Sequence, residues 1–135
     1  MANILLVEDT SDLRVLLRFV LERLGHKVVE AGDARRAAEF LAQRQFDLLI
    51  TDIVLPEADG LTLVRAAKAQ NPCPRVIAMS GVGARFPAGI TLKISEALGA
   101  DAILYKPFHN DEFVEMVKAV LAPAEPATPQ AAIRP

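Results

Sequence analysis

Four short apolar runs in this chain each end on a polar or charged residue, and helical patterns fill the spaces between them. Residues 4–7 (Ile-Leu-Leu-Val) lead into Glu8 and Asp9, and residues 48–51 (Leu-Leu-Ile-Thr) lead into Asp52. Residues 76–79 (Val-Ile-Ala-Met) lead into Ser80, and residues 102–105 (Ala-Ile-Leu-Tyr) lead into Lys106. Such runs read as β-strands. If the strands are parallel, all five side chains gather at the carboxyl edge of one sheet, where open α/β sheets place their ligand sites. Three acids, a hydroxyl and an amine are the parts needed to hold a metal ion and a phosphoryl group.

The intervening segments carry helical periodicity. Leu13, Leu16, Leu17, Val20, Leu21 and Leu24 form a stripe that predicts a first helix buried on that face, with Arg14, Arg18, Glu22 and Arg23 on the wet side. Asp9, Thr10 or Ser11 can cap its start, and Gly25 stands where a helix ends. Residues 27–30 predict a short second strand, and residues 34–44, rich in Ala and Arg, a thin outer helix. A turn over 56–60 precedes a third helix over about 61–69, stopped by Asn71-Pro72. Ile90, Ile94, Ala97 and Leu98 suggest a fourth helix ahead of Gly99. Phe113, Met116, Val117, Val120 and Leu121 mark the last one, which Pro123 ends. Strands alternating with helices predict βαβ units, hence an α/β fold with a parallel sheet covered on both faces. The expected organisation is one domain over 1–122 and a disordered Pro/Ala-rich tail over 123–135.

Composition narrows the function classes. Of 135 residues, 52% are hydrophobic but only 5% aromatic, so aliphatic side chains must fill the core. A net charge of −2 argues against a direct nucleic-acid surface, which needs a basic stripe. Cys73 is the single cysteine, so no internal disulfide can form, and a cytoplasmic location is expected. The N-terminus lacks the pattern of a secretory signal, and its apolar run is far too short to span a bilayer.

Three carboxylates brought together repel, and at least one keeps a proton unless a cation intervenes. A hard divalent ion resolves this, and Mg²⁺ suits a site with few carboxylates and several waters. Asp9 and Asp52 are the expected direct ligands, with Glu8 reaching the ion through water and a backbone carbonyl just after Asp52 adding another. One Asp52 oxygen can then attack a phosphoryl group, since carboxylates form acyl phosphates. Lys106 would neutralise phosphoryl oxygens and Ser80 would donate a hydrogen bond to one. Singly, each residue has an ordinary reading as a cap, a turn residue or a solvated charge. Their occurrence together at four strand ends favours the functional one.

With these residues in hand, the chain resembles the receiver domain of a two-component response regulator over about residues 3–121. Glu8-Asp9 matches the family's acidic pair. Asp52 with Ile53-Val54-Leu55-Pro56 and Asp59-Gly60 resembles the phosphoacceptor segment. Ser80-Gly81 matches the hydroxyl position, and Lys106-Pro107-Phe108 the lysine segment. The resemblance implies a flavodoxin-like (βα)5 sandwich with strand order 2-1-3-4-5. It further implies that Asp52 takes its phosphoryl group from a sensor histidine kinase or phosphotransfer protein, and that Val54 offers its backbone carbonyl to Mg²⁺. A cis Lys106-Pro107 bond is implied as well. So is a phosphorylation-biased surface of helix four, strand five and helix five that docks an output protein. The expected form is a stand-alone receiver, a monomer or weak dimer, that is a phosphoacceptor rather than an enzyme.

Two departures stand out. Ile103 occupies the position where the family often carries an aromatic switch side chain, and Tyr105, by alternation, packs near the surface instead. The segment between Ser80 and Lys106 is several residues longer than usual, with the excess in a Gly-rich loop over 81–91 that contains Phe86, expected to be mobile before phosphorylation. His26 and His109 lack a second ligand at useful spacing and read as surface residues. Three rivals remain. A haloacid-dehalogenase-like phosphatase would carry a second aspartate where Val54 stands. A nucleotide or flavin module would need a Gly-rich loop after the first strand, where Glu8-Asp9-Thr10 stands instead. A binding module that works without phosphorylation is the third.

Overall fold

The computed structural model describes residues 1–55, 58–81 and 99–122. The fourth helix, the Gly-rich loop with Phe86 and the Pro/Ala-rich tail expected from sequence lie outside the described residues.

In chain order the elements are β1 (Asn3–Val7), α1 (Ser11–Arg23), β2 (Lys27–Ala31), α2 (Ala34–Gln43), β3 (Leu48–Asp52), β4 (Val54–Leu55), β5 (Ala58–Asp59), α3 (Gly60–Lys68), β6 (Arg75–Ser80), β7 (Ala102–Tyr105) and α4 (Asn110–Leu121). β2, β1, β3, β6 and β7 form one five-stranded sheet in that order. Every pairing in it is parallel. Counting only those five strands, the order is 2-1-3-4-5, the flavodoxin-like arrangement the sequence led us to expect. The two-residue strands β4 and β5 pair antiparallel just beyond β3, where sequence suggested a plain turn.

Strand alternation sorts the core into two layers. Ile4, Leu6, Leu48, Ile50, Ile77, Met79 and Leu104 face Leu17 and Leu21 of α1 and Phe113, Val117 and Val120 of α4. Leu5, Val7, Leu49 and Val76 face the opposite layer, against Ala34, Ala37 and Leu41 of α2 and Leu63, Val64 and Ala67 of α3. Because helices cover both faces, the strands read as unbroken apolar runs rather than alternating ones. Ala34, Ala37 and Leu41 are the buried contacts of α2.

The first helix departs from expectation on one face. Leu17 and Leu21 are fully buried, but Leu16 is 43% exposed, and Val15 and Phe19 lie 59% and 56% exposed. The six-residue leucine and valine stripe is wider than the strip of helix that a sheet and one neighbouring helix can cover, so its edge at Leu16 stays in solvent. Arg23 stacks over the Phe19 ring at 5.6 Å. The wet-side assignment of Arg14 also fails: its side chain is 21% exposed and turned inward against Glu30.

Candidate functional site

Register explains why the site forms. Val7 stands opposite Thr51 and Ala31, Asp52 opposite Met79, and Ser80 opposite Tyr105. One rung beyond the apolar core, therefore, the columns Ile4-Leu6, Leu48-Ile50 and Leu104 continue into Glu8, Asp52 and Lys106. All three side chains leave the sheet on the same side at the same edge. The Lys106 ammonium bonds Glu8 Oε1 at 2.7 Å and Asp52 Oδ1 at 2.7 Å. One cation is thus shared by two carboxylates that are almost sealed from water, Glu8 at 0% and Asp52 at 4% exposure.

The surrounding loops fix these groups. The Thr10 amide donates to Glu8 Oε2 at 3.1 Å. Lys106 is held by its own amide, which donates to the Ser80 carbonyl at 2.8 Å. Its next peptide bond, Lys106-Pro107, is cis, as is Asn71-Pro72, which the sequence did not suggest. Phe108 then stacks on Phe113 of α4, ring centroids 5.8 Å apart, and the His109 amide donates to Glu112 to start that helix. Around Asp52, the Thr51 hydroxyl donates to the Asp52 carbonyl and the Ile53 amide to Met79. Gly60 packs so closely that a Cβ there would lie 1.7 Å from the Asp52 carbonyl oxygen.

Electrostatics follow from this packing. Burial pushes the Asp52 carboxyl up to about 7, with the adjacent Glu8 adding to the rise and Lys106 opposing it. Burial also raises Glu8, but Lys106, the neighbouring Asp52 carboxyl and the Thr10 amide together outweigh it and hold Glu8 below its ordinary value. Lys106 is desolvated, yet its two carboxylate partners keep it charged and above its usual range. Asp52 is the member with the proton to lose.

Asp52 Oδ2 is buried and, among the described residues, has no hydrogen-bond donor. Oxygens of Glu8, Asp9 and Asp52 all lie within 4.8 Å of one another, and Asp9 is exposed to solvent. An orphaned acceptor among further acceptors fits a hard cation with oxygen ligands, with solvent reaching it past Asp9. Ser80, 5% exposed, joins the site through its backbone bond to Lys106. Val54 starts β4 directly beyond Ile53. Of the other sequence candidates, Tyr105 is exposed, as alternation required. His26 is half-buried and accepts from the Ala2 amide, while His109 is exposed. Three contributors were missed by the sequence reading: the Thr10 amide, the close approach of Gly60, and Arg14, whose Nη1 donates to the Glu8 carbonyl at 2.7 Å.

A family model for the response regulator receiver domain matches residues 4–118. The chain belongs to that family. Receiver domains of this kind act in two-component phosphorelay signalling as phosphoacceptor switches rather than conventional enzymes, and they engage histidine kinases or phosphotransfer proteins. The chain is 35% identical to the response regulator receiver protein CpdR of Brucella abortus over 125 residues, covering 92% of this chain and all of that protein. It is 38% identical to the DNA-binding transcriptional regulator NtrC of Azospirillum brasilense over 89% of this chain but only 24% of that protein. Among solved structures, the chemotaxis response regulator CheY4 of Vibrio cholerae superposes with a TM-score of 0.79 at 25% identity, covering 90% of this receiver and 99% of that chain. No helix among the described residues of this receiver is long and apolar enough to cross a membrane.

Proposed function

We propose that this receiver accepts a phosphoryl group on Asp52 from a phosphohistidine of a partner kinase or phosphotransfer protein, in a Mg²⁺-dependent reaction. The observation that carries this reading is the orphaned, buried Asp52 Oδ2 beside a carboxylate oxygen of Glu8 and within reach of Asp9. A bound Mg²⁺, held by Asp9, Asp52, the Val54 carbonyl and Glu8 through water, would supply the positive charge that keeps the acids ionised and offsets charge on the phosphoryl oxygens.

The chain's own residues do the rest. An ionised Asp52 oxygen attacks phosphorus and a new O–P bond forms. The bond from phosphorus to the donor imidazole nitrogen breaks, its electron pair staying on that nitrogen, and the product is an acyl phosphate. Lys106, already spanning Glu8 and Asp52, pairs with a phosphoryl oxygen where it now pairs with Asp52. Ser80 donates to another, and its movement biases the output surface around β7 and α4. Val54 takes the place of a phosphatase's second aspartate, so hydrolysis of the product is slow.

The donor protein has a surface to dock on. An open groove of about 410 Å³ beside Lys106 is lined by Leu13, Gly81, Pro107 and Phe108. Leu13 lies one helical turn from Leu16, which with Val15 and Phe19 is an exposed apolar side chain of α1. Incubation with Mg²⁺ and acetyl phosphate should add one phosphoryl mass to the wild type and none to Asp52→Asn. Equal labelling of both removes Asp52 as the acceptor.

A further inference from the structure

Each polar atom of Glu8 is engaged. Its amide donates to the Ala31 carbonyl at 3.1 Å, Oε2 accepts from the Thr10 amide, and Oε1 accepts from Lys106. Its carbonyl accepts from Arg14 Nη1 at 2.7 Å, the one bond in the set that comes from a helix side chain. The same guanidinium donates through Nε to Glu30 Oε1 of β2 at 3.2 Å. It lies over Gly32, where a Cβ would come within 3.1 Å of Nη1. Arg14 therefore pins the peptide between Glu8 and Asp9 to the end of the neighbouring strand, in space that a side chain at position 32 would crowd. Among the described residues, the exposed Asp9 carboxylate has no hydrogen bond of its own. Its placement depends on the peptide that Arg14 holds.

We infer that Arg14 is a positioning residue for the acidic site: by clamping the Glu8 carbonyl to Glu30 over Gly32, it sets where Asp9 sits relative to Asp52, and so sets the affinity for Mg²⁺. The inference rests on Glu8, Asp9 and Asp52 being the Mg²⁺ site. Residues that orient metal ligands without touching the metal commonly shift affinity by about 10–100-fold when changed.

The test is calorimetric titration of Mg²⁺ into the full chain, with urea unfolding in EDTA measured in parallel. Arg14→Met should weaken Mg²⁺ binding by about 10-fold. Gly32→Val should do the same with Arg14 intact, because the added side chain displaces the guanidinium. Arg14→Lys, able to reach the Glu8 carbonyl or Glu30 but not both, should fall between. A merely structural role would move the urea midpoint and leave the affinity of the folded fraction unchanged. Should Arg14→Met and Gly32→Val bind Mg²⁺ as the wild type does, the positioning role is wrong. If Arg14→Met does not fold, Gly32→Val and Arg14→Lys decide the matter on the same criterion. An Asp52→Asn control separates the two levels: wild type without Mg²⁺ binding, or Asp52→Asn binding equally well, overturns the site and the inference with it.

Discussion

Replacing Asp52 by Asn should stabilise the metal-free protein, and the gain should grow with pH. Asp52 is 4% exposed and its carboxyl is pushed up to about 7 from an ordinary 3.8, by burial first and then by Glu8. In the window between those values the folded state holds a proton that the unfolded chain has lost, so stability falls as pH rises through it. At about 1.4 kcal/mol per pKa unit, the full cost above neutral pH is about 4 kcal/mol. At about pH 5 only the first part of the window has been crossed, and the same linkage gives about 1–2 kcal/mol. Asparagine cannot ionise, its oxygen still accepts from Lys106, and its amide can donate to Glu8. Urea unfolding in EDTA should therefore show Asp52→Asn more stable by about 2–4 kcal/mol at about pH 8, with the gap narrowing at about pH 5. Added Mg²⁺ should raise wild type toward the variant by mass action and leave the variant unchanged. A variant less stable than wild type, or a gap that does not change with pH, would refute the claim that an unfavourably buried charge sits at this position.

Three further outcomes follow from the same geometry. Gly60→Ala should cost about 2–3 kcal/mol in urea unfolding and slow acetyl phosphate labelling, because its Cβ would land 1.7 Å from the Asp52 carbonyl oxygen. Lys106→Ala should still be labelled on Asp52 by acetyl phosphate but bind an output partner weakly; binding equal to that of the phosphorylated wild type in a pull-down would remove Lys106 from the switch. Leu16→Glu or Phe19→Glu should change stability by no more than about 0.5 kcal/mol, as these side chains are exposed. Labelling by acetyl phosphate should be unaffected, whereas transfer from a cognate phosphohistidine protein should fall by about 10-fold, the effect of losing one moderate interface contact. Parallel losses from both donors would mean the change reaches the site through the fold.

Much of this was legible because the chemistry sits where each strand stops. Glu8, Asp52 and Lys106 are each the residue that ends an apolar run, and two-residue alternation alone aims them to one side once the strands are parallel and in register. The strand order itself came from the family resemblance, since local periodicity does not say which strand is central. The misses have a common physical source. Leu16 belongs to a clean helical stripe, but how much of that stripe is covered depends on the width of the sheet beneath α1. Arg14 looks like any exposed helical arginine until β2 is placed beside α1 and brings Glu30 and Gly32 under it. Gly60 reads as a turn glycine, and only its close approach to the Asp52 backbone shows that a Cβ has no room.

The opposed behaviour of Glu8 and Asp52 suggests how one cluster can both rest and switch. Glu8 collects the donors: Lys106, the Thr10 amide and a backbone held by Ala31 and Arg14. It is therefore ionised and fixed in the resting state. Asp52 shares Lys106 with Glu8 and, among the described residues, leaves Oδ2 without a donor. Asp52 is thus the less well-satisfied of the two buried acids. Anything that brings positive charge or a covalent partner to Oδ2 relieves that deficit. Because Lys106 bridges the two acids, a new group on Asp52 also changes what Lys106 binds. Its amide is tied to Ser80 and its chain runs directly into Phe108, stacked on Phe113 of α4. Under the proposed function, Lys106 therefore directly connects the acceptor Asp52 to the β7–α4 surface, and a ligand can shift that surface only by the difference in how it binds the two arrangements of this bridge.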